Sequence, residues 1–333
     1  MIINRRVPHQ DMAKYDTERF LRFVLNHNPD SNDEDFHYID LAAALTAVNR
    51  KSFRQGKVYQ VANVTIHDSQ GDAFVKFCTA PNNQSTRRAW NIGFKNWKKQ
   101  RAQALQGLEG QQTGKYSDFK VFLNDDHITD PDSAHKFESI PGGGSQLMWI
   151  GDLRPTDIEN NKVHYGEWDY SKFYEHHEYD TAGAVDEAWV CLMGANKESN
   201  ADMQSVSLID LYEEILNPTV ADPAVGPALE NTWYGRMFVG ANDEVLEDID
   251  GENDMPGYSP SLLLGGPSNL PKPYQRRICH IASTYSPVAQ VGGFSVPCGL
   301  LCIETKSETS DNEIGITIEM VPGDYNGLMA EDM

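Results

Sequence analysis

Apolar residues along much of this chain recur at every second position, in short runs broken by turn-forming residues. That is the period of half-buried strands. Near the end of the chain Ile316, Ile318 and Met320 face one way while Thr317 and Glu319 face the other. The runs KVYQVANVTIH and GDAFVKFCT, joined by DSQG, predict a hairpin or tight connection, and RRICHIAST, GGFSVPCGLLCIETKS and NEIGITIEMVPGDYNG predict three later strands. Further strands are expected over Val163–Tyr174 and Ala184–Met193. Helical spacing occurs at Tyr15–His27, Tyr38–Val48 and Ser205–Leu216, the last stopped by Asn217-Pro218. With no regular βα alternation, the pattern predicts an all-β sandwich or jelly roll carrying insertions. The expected organisation is an N-terminal helical or irregular segment (1–56) and the first part of the sandwich (57–196). An acidic insertion with one helix (197–275) and closing strands (276–333) follow.

The strongest departure from the two-residue period lies at 85–106. Trp90, Phe94, Trp97 and Leu105, continued by Leu108, share one side of a 3.6-residue spiral, and Arg88, Lys95 and Lys99 take the opposite side. Ser85 or Thr86 is the expected N-cap, and Gly107, Gly110 and Gly114 end the helix. Tyr116–Leu123 then alternates as a strand would. The aromatic side is expected to dock on a core.

Charge gives the other side its interest. The formal net charge is −21, yet Arg87, Arg88, Lys95, Lys98, Lys99 and Arg101 occur in one segment with no acid among them. A cationic stripe in so acidic a chain is expected to meet nucleic acid or the acidic face of another subunit. The opposite extreme lies between Ala201 and Pro260, with thirteen Asp or Glu against Arg236 alone. There Asp248, Asp250, Glu252 and Asp254 recur at alternate positions, a spacing able to wrap Ca²⁺, but position twelve of such a loop is Ser259 and not the bidentate Glu. A solvated acidic loop is the competing reading.

Other chemistry is sparse. Cys78, Cys191, Cys279, Cys298 and Cys302 sit in apolar or strand-like surroundings and are expected to be small buried hydrophobes. The PGGGS run precedes a strand-like segment and lacks the Lys-Ser/Thr of a phosphate loop. No GxSxG nucleophile motif occurs. No apolar run reaches membrane-spanning length, so no membrane span is expected.

Three blocks carry a resemblance: STRRAWNIGFKNWKKQR…GKYSDFKVFLNDDH, DIDGENDMPGYSP…LLLGGPSNLP, and PVAQVGGFSVPCGLLCIETKS…IGITIEMVPGDYNGLMAEDM. Together they span about half the chain and resemble capsid proteins of small circular single-stranded DNA viruses of the environmental, Rep-encoding kind. The resemblance implies an eight-stranded jelly roll that self-assembles into an icosahedral shell around single-stranded DNA, located in the virion, with no catalytic residues. A double jelly roll is the alternative. Many such proteins carry a long basic N-terminal arm, of which this chain has only Arg5 and Arg6. The cationic helix side is therefore the expected genome or inter-subunit contact. Two other functions fit a sandwich, a carbohydrate-binding attachment protein and a glycoside hydrolase. Either would use Trp149, Trp168 and Trp189 as sugar platforms, although no carboxylate pair stands out for hydrolysis.

Overall fold

A computed structural model describes residues 17–27, 34–105, 116–128, 156, 159, 168–176, 185–199, 202–216, 257–282, 286–307 and 312–333. Strands dominate it. The first sheet runs β1 (Phe20–His27), β12 (Asn312–Met320), β3 (Lys57–Asp68) and β10 (Val288–Pro297), all antiparallel. The second runs β2 (Asp35–Asp40), β11 (Leu300–Lys306), β4 (Phe74–Thr79) and β9 (Tyr274–His280), again antiparallel. The short β14 (Ala330–Asp332) pairs with β3 at Lys57–Tyr59, beyond Val61, where the β12 ladder ends after a register shift at Glu319/Met320. The β13 strand (Pro322–Tyr325) lies in the turn between them.

The two sheets enclose one core. Phe23 on β1 pairs with Ile316 on β12, which pairs with Ile66 on β3. These side chains meet Ile39, Phe77, Leu301 and Ile303 from the second sheet. Each such Leu, Ile or Phe contributes about 1.5–3 kcal/mol relative to exposure. The first sheet alternates buried and partly exposed positions along β12. In the second, β11 does not, because both its faces are covered: Leu301 and Ile303 point into the sandwich, while Leu300 and Cys302 point into a second apolar cluster outside it. Burial on both faces is why β11 reads as the unbroken run LLCI.

That outer cluster is built by the long connection between β4 and β9. It contributes α2 (Gln84–Leu105), the short α3 (Asp125–Ile128), α4 (Leu208–Leu216), and a separate sheet in the order β5 (Lys172–His176), β6 (Val185–Cys191), β8 (Asp202–Ser207), β7 (Lys197–Ser199). Within this small sheet β6 and β8 run parallel. Among the described residues no helix is long and apolar enough to cross a membrane.

Two strands lie where the spacing predicts helix. FLRFVLNH satisfies both periods, and pairing with β12 selects the extended one, burying Leu21, Phe23 and Leu25 at every second position. Asp35–Asp40 is likewise strand, and the helix α1 (Leu41–Asn49) begins only after Asp40, whose carboxylate caps it. Tyr116–Leu123 forms no ladder and contributes a single bridge, Phe122 to Cys191. Cys298 sits in the β10–β11 turn at φ 56°, not on a strand face with Cys302.

At one strand position a side chain has no room. A Cβ on Gly293 would press on the Val61 carbonyl and lie 2.8 Å from that of Ala62. Gly293→Ala is expected to lower the unfolding free energy by about 1–3 kcal/mol. Gly292→Ala, facing open space, should stay within about 0.5 kcal/mol. Paired urea denaturation of the two variants checks this.

Candidate functional site

Helix α2 lies on the outer face of the second sheet. Its N-cap is Asn83, whose Oδ1 accepts from the Thr86 amide at 2.8 Å. Ser85 and Thr86 therefore fall inside the first turn, and the Thr86 hydroxyl is buried. Ala89, Trp90 and Gly93 are buried, and Phe94 and Trp97 pack beside them. All three aromatic rings gather on Phe119, with centroids at 5.8, 6.0 and 5.7 Å, and Phe173 closes the cluster at 6.3 Å. Gly93 is where α4 comes close: a Cβ there would lie 3.1 Å from Leu208 Cδ1.

The six cations of this segment do not form one surface. Arg87 pairs with Glu331 at 2.9 Å. Arg88 donates to the Tyr212 hydroxyl at 3.5 Å, and that bond raises its pKa. Lys98 lies over Phe94 at 4.1 Å, and Arg101 lies over Trp97 at 5.5 Å. Lys95 and Lys99 are exposed. Among the described residues neither makes a hydrogen bond or ion pair, and they are the positions of the stripe most open to an external anion. Asp248, Asp250, Glu252 and Asp254, the candidate Ca²⁺ residues, lie outside the described residues, as do Leu108 and Trp149.

The second half of α2 forms one wall of a groove of about 1520 Å³ whose other walls are α1, Tyr116–Lys120 and Trp168–Tyr174. Trp97, Trp168, Tyr170, Tyr174 and Trp189 line it, with Tyr116 at its edge 75% exposed. So do Arg50, Lys51, Arg101, Lys120 and Lys172, against Asp118 and Asp169 among the described residues. The charges and rings are interleaved: Lys120 Nζ lies 4.1 Å over Trp168, and Lys172 Nζ lies 4.3 Å over Trp189. Sequence reasoning singled out Trp168 and Trp189 as platforms and Arg101 as a cation, but not their convergence. A partial signal was available, because Trp168, Tyr170, Lys172 and Tyr174 alternate along one extended face.

Asp40 anchors the groove wall from beneath. Its carboxylate accepts from the Ala42 and Ala43 amides at 2.9 and 3.1 Å, from Gln55 Nε2 at 2.6 Å and from Trp168 Nε1 at 3.0 Å. The Tyr170 hydroxyl lies 3.5 Å away. Burial pushes the Asp40 pKa up to about 6, against these hydrogen bonds and the Lys120 charge that pull it down. Below Tyr170, Phe122 stacks on its ring at 4.1 Å, and His127 stacks on Tyr38 at 4.6 Å. Burial lowers the His127 pKa to about 3, so the ring is neutral, and its Nδ1 accepts from the Leu123 amide. Both groups are tied to structure and neither faces solvent as a proton donor. Burial also raises the Cys78 thiol to about 11 and moves Cys191, Cys298 and Cys302 upward, which disfavours the reactive thiolate.

The arrangement offers rings to stack on and cations to face an anion, with fixed hydrogen bonds behind them. Compared with known protein families, with curated proteins and with solved structures, the chain matches none.

Proposed function

We propose that this chain is a viral coat protein, a single jelly-roll subunit that self-assembles into a closed shell around single-stranded DNA. The observation carrying this reading is the nesting of strand pairs. In chain order β1 pairs with β12, β2 with β11, β3 with β10 and β4 with β9, with the pairs alternating between two sheets. Such nesting supports reading the sandwich as one long antiparallel ribbon rolled up into a jelly roll, the architecture in which viral shells, lectins and cupins are built. Fold alone does not choose among these. The choice rests on three further features. The space between the sheets is filled by buried Leu, Ile and Phe among the described residues. The long β4–β9 connection displays cations on its outer layer. The three sequence blocks resemble capsid proteins. Eight of the described strands make the two sheets of one sandwich, and the remainder form a small sheet and short edge pieces, which favours the single over the double form.

Purified full-length chain should form uniform closed particles in negative-stain images and light scattering at some salt concentration. A monomer or small oligomer under every condition overturns the proposal. Lys95→Glu with Lys99→Glu is expected to leave the subunit folded, because both side chains are exposed. Reversing their charge should abolish particles by repelling the acidic surface they meet. Normal particles from the double variant would overturn their interface role. The carbohydrate-binding alternative is favoured by the Trp168–Trp189 wall. It predicts small closed oligomers that bind glycans.

A further inference from the structure

We infer that the groove between α1, α2 and Trp168–Tyr174 is a binding site for single-stranded DNA, with bases stacking on its rings and phosphates paired to its cations. The inference deepens the coat-protein reading and rests on it for the identity of the polymer.

Size is the first argument. At about 1520 Å³ the groove exceeds the roughly 300–1,000 Å³ of pockets for small molecules, room for a polymer segment. Composition is the second. Half of the chain's six tryptophans, Trp97, Trp168 and Trp189, line this one groove. Among the described residues, five Lys or Arg line it against two acids, in a chain whose net charge is −21. Surfaces that bind single strands combine these two elements, a cationic track for the backbone and rings on which successive bases stack.

Geometry is the third argument, and it separates the competing ligands. Duplex DNA keeps its bases stacked on one another, so a wall of rings recessed in a groove offers it nothing. Sugar sites also use aromatic platforms, but five cations give a neutral sugar no matching charge. The rings are moreover held in place before any ligand arrives. Trp168 is pinned by its bond to the buried Asp40, and Tyr170 is stacked on Phe122. A rigid platform loses little entropy on binding.

Fluorescein-labelled dT20 is titrated against dispersed full-length subunit, followed by anisotropy over a salt series. The wild type should bind dT20 more tightly than a 20-base-pair duplex. Tyr174→Ala, which removes a ring 52% exposed, should weaken dT20 binding by about 5- to 150-fold. Lys120→Ala with Lys172→Ala should reduce the log–log salt slope by about 1.4, two phosphates at roughly 0.7 each. Lys272→Ala with Lys306→Ala removes the same charge outside the groove and should leave the slope in place. Unchanged circular dichroism melting certifies that each variant is folded.

Failure to bind dT20 at low salt, equal or tighter binding of duplex, or groove variants that bind like wild type would each overturn the inference. Capture on a glycan array without dT20 binding would also overturn it, in favour of a sugar site. Assembly is scored separately by light scattering. Groove-dependent dT20 binding by subunits that never form particles would sink the coat-protein reading and keep the site. Particles whose dT20 binding ignores the groove would do the reverse.

Discussion

Asp40→Ala is expected to destabilise the subunit by about 3–5 kcal/mol, the range for leaving a buried charged network without one partner. Asp40 is 1% exposed. It joins the first turn of α1, Gln55 before β3, and Trp168 in the groove wall. Without it two backbone amides, Gln55 Nε2 and Trp168 Nε1 lose a buried acceptor together, and each orphan is worth about 1–3 kcal/mol before relaxation. The loss is a large share of the roughly 5–15 kcal/mol that holds a typical domain folded. Equilibrium urea unfolding measures it. A loss below about 1 kcal/mol would mean that water replaces the carboxylate and that the network is not the anchor argued above.

The same residue carries a pH signature. Its folded pKa of about 6 lies above the ordinary aspartate value of 3.8, so between those values the folded chain binds more protons than the unfolded one. Stability from this group is therefore present at low pH and falls as pH rises through about 4 to 6. Linkage puts the change between pH 4.5 and pH 7 at about 2 kcal/mol. Asp40→Asn cannot titrate, so the wild type should lose about 2 kcal/mol relative to that variant over the same interval. A constant difference between the two would place the folded pKa near its ordinary value.

Phe119→Ala is the second large effect, at about 3–5 kcal/mol. Phe119 is fully buried and touches Trp90, Phe94, Trp97 and Phe173 at once. It is the point where α2 is fastened to the extended segment crossing the sheet. Aromatic pairs add about 0.5–1.5 kcal/mol beyond the area they bury, so the alanine variant loses several such contacts as well as leaving a cavity. Tryptophan fluorescence should report loosening of α2 before the sandwich unfolds. A single cooperative transition with an unchanged midpoint would show that the docking of α2 does not depend on this ring.

Much of the sandwich was legible in the sequence because burial on one face writes itself as a two-residue period. Ile314, Ile316 and Ile318 alternate with polar residues, and a slip of one residue would turn all three to the wrong side. The aromatic side of α2 was legible for the corresponding reason at 3.6 residues. Legibility failed at FLRFVLNH, where both periods fit and only the ladder with β12, nearly three hundred positions along, decides. It failed also for the cationic stripe. Composition shows six like charges together, but Arg87 is claimed by Glu331 and Arg88 by Tyr212 across long sequence separations.

The sequence by itself determined that the protein is mostly β, that one amphipathic helix breaks the strand pattern, and that charge is unevenly spread. These follow from local spacing and composition, which any reader of the chain can count. Only the tertiary structure decided the nested strand order, the burial of Asp40 beneath Trp168, and the meeting of α1, α2 and two extended segments around one groove. Those depend on contacts between residues far apart in the chain, whose partners are selected by the closure of the whole fold and leave no periodic trace in any one segment.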